Sequence, residues 1–311
     1  MEVPKQHAVG RMRLLVLAAA PVVMVVVGVF SLLNLANWYH AGQLPDDYQS
    51  FNTERFQVYH PEGLEGRAKA IVEEAEAFLL QAPLAFSPFL GDLTPPERQV
   101  RLTLFRNQEE FIRFTQDSLQ EDMSSNGGYF DAANLEIVLV LTKSNADSLG
   151  IRHEVAHLLV ARGGGRFGTE MPRWLNEGLA TWLETADVSA PGSSGLLADW
   201  VRLVAAATAV PPGIQEIVAF DGKDFRSENN DLVYAYSNLL IHFLMHHSQE
   251  RFFAFARSVL EGKPADVDRF EGAFGSVTNL EEPFRRYVRR LVSDFDAEYR
   301  ERVIRGETLE F

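Results

Sequence analysis

No cysteine occurs among the 311 residues. The chain therefore has neither a disulfide framework nor a thiolate metal site, and any tight transition-metal site must be built from histidine and carboxylate. Basic residues are few: 29 Lys and Arg stand against 43 Asp and Glu, for a formal charge of -14. Without a block of clustered cations to neutralise phosphates, the reading includes no nucleic-acid partner. The acidity is read as solubility rather than as steering of a ligand. Internal repeats and low-complexity tracts are also missing, and 46% apolar residues are enough to bury a sizeable core. Disorder is not expected over most of the length.

One long apolar run is present. Residues 14–33 read LLVLAAAPVVMVVVGVFSLL without a charge, and as a helix they span roughly the 30 Å of a bilayer core. Lys5, Arg11 and Arg13 precede the run while Asp46 and Asp47 follow it. The positive-inside rule then predicts a cytoplasmic N-terminus at 1–13, a transmembrane anchor over 14–35, and everything after it outside the cytoplasm. Trp38 and Tyr39 suit the far interface. A cleaved signal peptide is the competing reading, but the run exceeds the usual apolar core of such a peptide and no clear A-x-A-like site follows it.

Residues 36–50 are polar and turn-prone and are expected to form a linker that lifts a single domain, 51–305, off the membrane. Alternating patterns predict strands over 55–60, 98–105 and 134–141. Helical spacing predicts helices over 64–82, 108–115, 146–162, 172–186, 231–247 and 279–303. A strand-rich half followed by a helical half is an α+β arrangement.

Chemistry concentrates in the second half. In HEVAH, His153 and His157 are four positions apart, so on a helix both rings leave one face about a turn apart and can share one metal ion, with Glu154 between them as a base. A catalytic zinc takes three protein ligands and leaves a position open, and two histidines with one glutamate are a known set. Glu177, 20 positions after His157 in the helix opened by PRWLNEGLA, has enough chain before it to return alongside the first helix.

These residues carry a resemblance. HEVAH together with WLNEGLATWLE, residues 174–184, resembles the gluzincin metallopeptidases, in particular the peptidase MA-like domains related to the aminopeptidase N and thermolysin families. The likeness covers roughly residues 51–295 and implies a zincin-like metallopeptidase domain. It further implies His153, His157 and Glu177 as zinc ligands and Glu154 as general base. Glu184, two helical turns beyond Glu177, falls where aminopeptidase-like members carry another glutamate, either orienting a ligand histidine or lying solvated on the helix. The stretch YAYSNLLI is similar to the family helix that supplies a tyrosine to the transition state, with Tyr234 as that residue and Tyr236 as its alternative. FQVYH at 56–60 and a GGYF turn at 127–130 are also similar.

The sequence departs from both branches. The aminopeptidase branch has one residue fewer between His157 and the glutamate, and its G-x-M-E-N element has no counterpart upstream of His153, so exopeptidase specificity is not implied. Thermolysin has an aspartate where Thr181 stands. The expected activity is hydrolysis of peptide bonds in a peptide or protein, with strand 134–141 offering its edge to an extended substrate. A tethered binding module that keeps zinc for structure, or a zinc hydrolase of another amide, are the alternatives.

Overall fold

The computed structural model describes residues 44–91, 93, 95–119, 123–124, 126–141, 146–163, 171–185, 198–207, 211–226 and 230–304. The apolar run at 14–33 lies outside these. Among the described residues no helix is long and apolar enough to cross a membrane.

The first half holds five strands: β1 (Tyr48–Asn52), β2 (Phe56–Pro61), β3 (Val100–Phe105), β4 (Gly128–Asp131) and β5 (Glu136–Val140). They form one sheet in the order β1-β2-β3-β5-β4, in which β2, β3 and β5 run parallel and the two outer strands pair antiparallel. Helix α1 (Glu65–Leu90) connects β2 to β3, and α2 (Gln108–Leu119) lies between β3 and β4. Alternation along the strands sorts residues between the two faces. Val58, Leu102, Ile137 and Leu139 join the main core, whereas Tyr59, Phe105, Val138 and Val140 pack with Phe111 and Phe114 of α2.

The second half is helical: α3 (Ala146–Gly163), α4 (Arg173–Thr185), α5 (Ala198–Ala206), α6 (Ile214–Val218), α7 (Asn230–Leu260), α8 (Val267–Phe274) and α9 (Val277–Ile304). The architecture is thus α+β, a five-stranded sheet followed by a helical half. Helix α7 is buried along most of its first four turns and serves as the axis of that half. Arg152 ties α3 to α1 by an ion pair with Glu74, and its guanidinium lies 5.7 Å from the centre of the Phe78 ring.

Four boundaries differ from expectation. Residues 44–50 of the stretch read as the 36–50 linker belong to the folded domain, because Leu44 is buried with Tyr59 and Phe105 in one cluster and the Tyr48 hydroxyl donates to Glu110 at 3.0 Å. A polar edge strand has little periodic signal, so β1 was hidden in its own composition. The GGYF segment is an edge strand and not a turn. Helix α1 continues past Pro83 and Pro88 to Leu90. Each interior proline costs roughly 3 kcal/mol, and burial of Phe86 and Leu90, at about 1.5–3 kcal/mol each, offsets much of that. Helix α7 likewise runs on beyond 247, through a non-helical Ser248 at φ -163 and ψ 88.

The edge expected of strand 134–141 is also reassigned. β5 has β3 on one side and β4 on the other, so among the described residues the open edges of the sheet belong to β4 and β1.

Candidate metal centre

Helices α3 and α4 pack antiparallel: the earlier His153 meets the later Glu184, and the later His157 meets the earlier Asn176 and Glu177. Trp174, Leu175, Leu179, Trp182 and Leu183 drive the packing, all fully buried along one stripe of α4. Glu177 and Glu184, seven residues and two turns apart, are thereby turned together toward α3.

On α3 the His153 and His157 ring centroids are 4.7 Å apart. The two Nε2 atoms lie 3.1 Å from each other, and Glu177 Oε2 lies 3.1 Å from His157 Nε2 and 3.4 Å from His153 Nε2. Donor atoms held 2.0–2.1 Å from a tetrahedral zinc are about 3.3–3.4 Å apart. The donor triangle has that size, and imidazole nitrogen with one carboxylate oxygen is a donor set zinc accepts, so these residues fit the ion. Among the described residues this is the one group of three or more His, Asp or Glu so arranged.

The outward nitrogens are held as well. His153 Nδ1 lies 2.7 Å from Glu184 Oε2, an acceptor-only carboxylate, so the proton on Nδ1 is held there and Nε2 is the nitrogen that faces Glu177. Asn176 Oδ1 sits 3.3 Å from His157 Nδ1 and does the same for the second ring. Arg173 donates to Glu177 Oε1 at 3.2 Å, occupying the oxygen that the triangle does not use. Asn176 and Arg173 were not singled out from the sequence, although both sit within four residues of Glu177, where neighbours on a helix turn toward the same site.

Glu154 is 7% exposed, and among the described residues its Oε2 has no hydrogen-bond partner. Such an orphaned acceptor carries a desolvation cost of order 1–3 kcal/mol that a group bound in the cleft would relieve. On its other side the carboxylate approaches β4. A Cβ at Gly128 would lie 3.4 Å from Glu154 Oε1 and only 2.6 Å from the Val138 carbonyl, so a glycine is required for the strand to come this close.

Tyr234, in the first turns of α7, stands with its ring centre 6.3 Å from that of His153, stacked on Trp200 and edge-on to Phe225. Tyr236 points elsewhere and is packed in the main core. The resemblance implies Tyr234, with Tyr236 as its alternative; the cleft is lined by Tyr234 and not by Tyr236.

Burial shapes the charges. It pushes the Glu154 carboxyl up, opposed by His153 and His157. For Glu177 burial works in the same sense, but the two histidines hold the carboxyl well below its ordinary range. His153 is disfavoured as a cation by burial, yet Glu184 and Glu177 carry it well above its ordinary value. Burial, then Glu177 and Glu154, push the Tyr234 phenol up, so it remains a hydrogen-bond donor at neutral pH.

All of these groups except Glu184 line one cleft of roughly 710 Å³, walled by β4 with the loop to Ala133 on one side and by α4, Phe225 and Tyr234 on the other. An imidazole pair, a carboxylate ligand, an unpaired carboxylate and a phenol thus converge beside an open strand edge, a set suited to metal-assisted proton transfer.

No curated protein matches the chain. A family model described as Protein of unknown function (DUF1570) matches residues 148–266. That stretch contains His153, Glu154, His157, Glu177, Glu184 and Tyr234, so the chain is similar to that family across the whole of the candidate centre.

Proposed function

We propose that this chain is a zinc-dependent peptidase with a zincin-like domain, tethered by residues 14–35 so that the domain lies outside the cytoplasm. The observation that carries the reading is the triangle of His153, His157 and Glu177 donor atoms with sides of 3.1–3.4 Å, beside a buried Glu154 oxygen that has no partner among the described residues. Zinc held by those three residues supplies a Lewis acid for a carbonyl and lowers the pKa of water.

The remaining work falls to the chain. Glu154 accepts a proton from the attacking water and returns it to the departing amine, with Oε2 free for the task. Tyr234 donates its phenolic hydrogen to the oxygen on which charge develops. The unpaired edge of β4 supplies backbone donors and acceptors for an extended peptide laid along the cleft. Glu184 and Asn176 hold the two imidazoles in orientation.

Metal analysis and digestion of a peptide library by the full-length protein test the reading. One zinc per chain is expected, with Glu154→Gln keeping the metal and losing hydrolysis, and His157→Ala losing both. A protein without stoichiometric zinc, or a Glu154→Gln variant that turns over peptides at the wild-type rate, overturns it.

A further inference from the structure

Arg173 stands out among the residues around the cleft. It is the first residue of α4, whose first turn carries no acidic residue, and a cation at that end opposes the helix dipole. Its ion pair with Glu177 is lopsided: the arginine side chain is 51% exposed and the glutamate side chain 5%. A half-exposed pair at i,i+4 spacing stabilises a helix weakly, so helix stability does not explain a cation here.

The position does. Arg173 is the only Lys or Arg among the described residues lining the cleft, which also presents Asp131, Glu154 and Glu177. One of its five N–H donors goes to Glu177 Oε1 at 3.2 Å, and the side chain, half exposed, lines the cleft. It is close enough to Tyr234 for its charge to be felt by the phenol. A half-exposed guanidinium whose partner among the described residues is Glu177, lining a cleft that otherwise presents carboxylates, matches the planar, two-oxygen geometry of a carboxylate.

We infer that Arg173 is a specificity-determining residue that pairs with a carboxylate of the substrate close to the scissile bond, on the Tyr234 side of the cleft. The inference rests on the peptidase reading. The carboxylate is either an acidic side chain or the terminal carboxylate of a short peptide. An acidic group elsewhere along the cleft meets Asp131 on β4 instead, so the preference is confined to one position.

Internally quenched peptides that differ at single positions as Glu, Gln or Lys, each with a free or an amidated C-terminus, test this with the full-length zinc-loaded protein. At one position kcat/KM for the carboxylate should exceed that for its amide by about tenfold or more, chiefly through KM. Arg173→Gln should bring the ratio to about one while zinc content stays at one per chain, and Arg173→Glu should favour Lys. Collapse on Glu to Gln exchange assigns a side chain, and collapse on amidation assigns the terminus.

Equal ratios in wild type and Arg173→Gln overturn the inference, as does loss of zinc with a uniform drop on all substrates, which would make the arginine a support for Glu177 alone. If wild type cleaves no peptide, the peptidase reading falls, and the fate of this inference is read from binding. Fluorescein-labelled carboxylate and amide peptides are then titrated against the Glu154→Gln protein, and equal affinities overturn it.

Discussion

One imidazole is gripped by two carboxylates of one helix: Glu184 Oε2 lies 2.7 Å from His153 Nδ1, while Glu177 Oε2 lies 3.4 Å from the Nε2 of the same ring. The carboxylate at Nδ1 fixes tautomer and ring orientation. Removing such a partner typically costs 10–100-fold in metal affinity or activity. Glu184→Ala should therefore raise the zinc Kd by about 10–100-fold, measured by chelator competition, and Glu184→Gln, which keeps an acceptor oxygen, should raise it less. Unaltered affinity in the alanine variant would return Glu184 to an ordinary buried side chain.

The two tyrosines of α7 separate cleanly. Two positions on a helix point about 200° apart, and here Tyr234 faces the cleft while Tyr236 is 4% exposed within the core. Loss of one oxyanion donor typically costs about 10²–10³ in kcat. Tyr234→Phe should slow turnover to that extent at unchanged zinc content and Tm, and Tyr236→Phe should leave kcat near wild type. The reverse ranking moves the role to Tyr236, and two silent substitutions place the donor on another side chain.

What sequence could deliver followed its periodicities. His153, Glu154, His157 and Glu177 were legible because both motifs sit on helices, where spacing of four and seven fixes the face. Helices α3, α4 and α9 came out within two residues of their bounds for the same reason. β1 and β4 were not legible: their residues are half-buried or exposed and, among the described residues, paired along one edge only, so neither alternation nor a hydrophobic run marks them. Phe225 and Trp200 reach Tyr234 from segments for which no element was predicted, and contacts of that kind arise from tertiary packing that local periodicity does not reveal. The anchor at 14–35 lies outside the described residues and still rests on its composition.

Gly178, adjacent to Glu177, sits where α4 crosses α7. A Cβ there would lie 2.7 Å from Ile241 Cδ1 and 3.0 Å from the Ser237 carbonyl oxygen. The isoleucine tip can swing away, but the carbonyl belongs to the backbone of a buried helix and cannot. Gly178→Ala gains about 1 kcal/mol of helix propensity and loses more by overpacking, typically about 1–3 kcal/mol. The net should be destabilising, with Tm lower by about 2–4 °C per kcal/mol. Because α4 carries Glu177 and Glu184 and α7 carries Tyr234, zinc affinity should weaken too. A variant as stable as wild type would show that the crossing has slack.

Glu136 gives a pH signature away from the candidate metal centre. It is 5% exposed on β5, accepts a hydrogen bond from Thr103 at 3.1 Å and lies 3.7 Å from Arg101. Burial raises its carboxyl from the ordinary 4.5 to about 7 against the opposing pull of Arg101, with Asp131 across the β4–β5 ladder adding to the rise. A carboxyl raised in the folded state binds more protons there than in the unfolded chain between those two values, so stability falls as pH climbs from about 4.5 to about 7. The full difference is worth about 3 kcal/mol as an upper figure. Glu136→Gln keeps an acceptor for Thr103 and cannot ionise. Denaturant unfolding of both proteins at pH 4.5 and 8 should show the variant gaining on wild type by as much as that amount at the higher pH. A difference in stability that is independent of pH, or one that shrinks as pH rises, would mean that Arg101 holds the carboxylate ionised throughout.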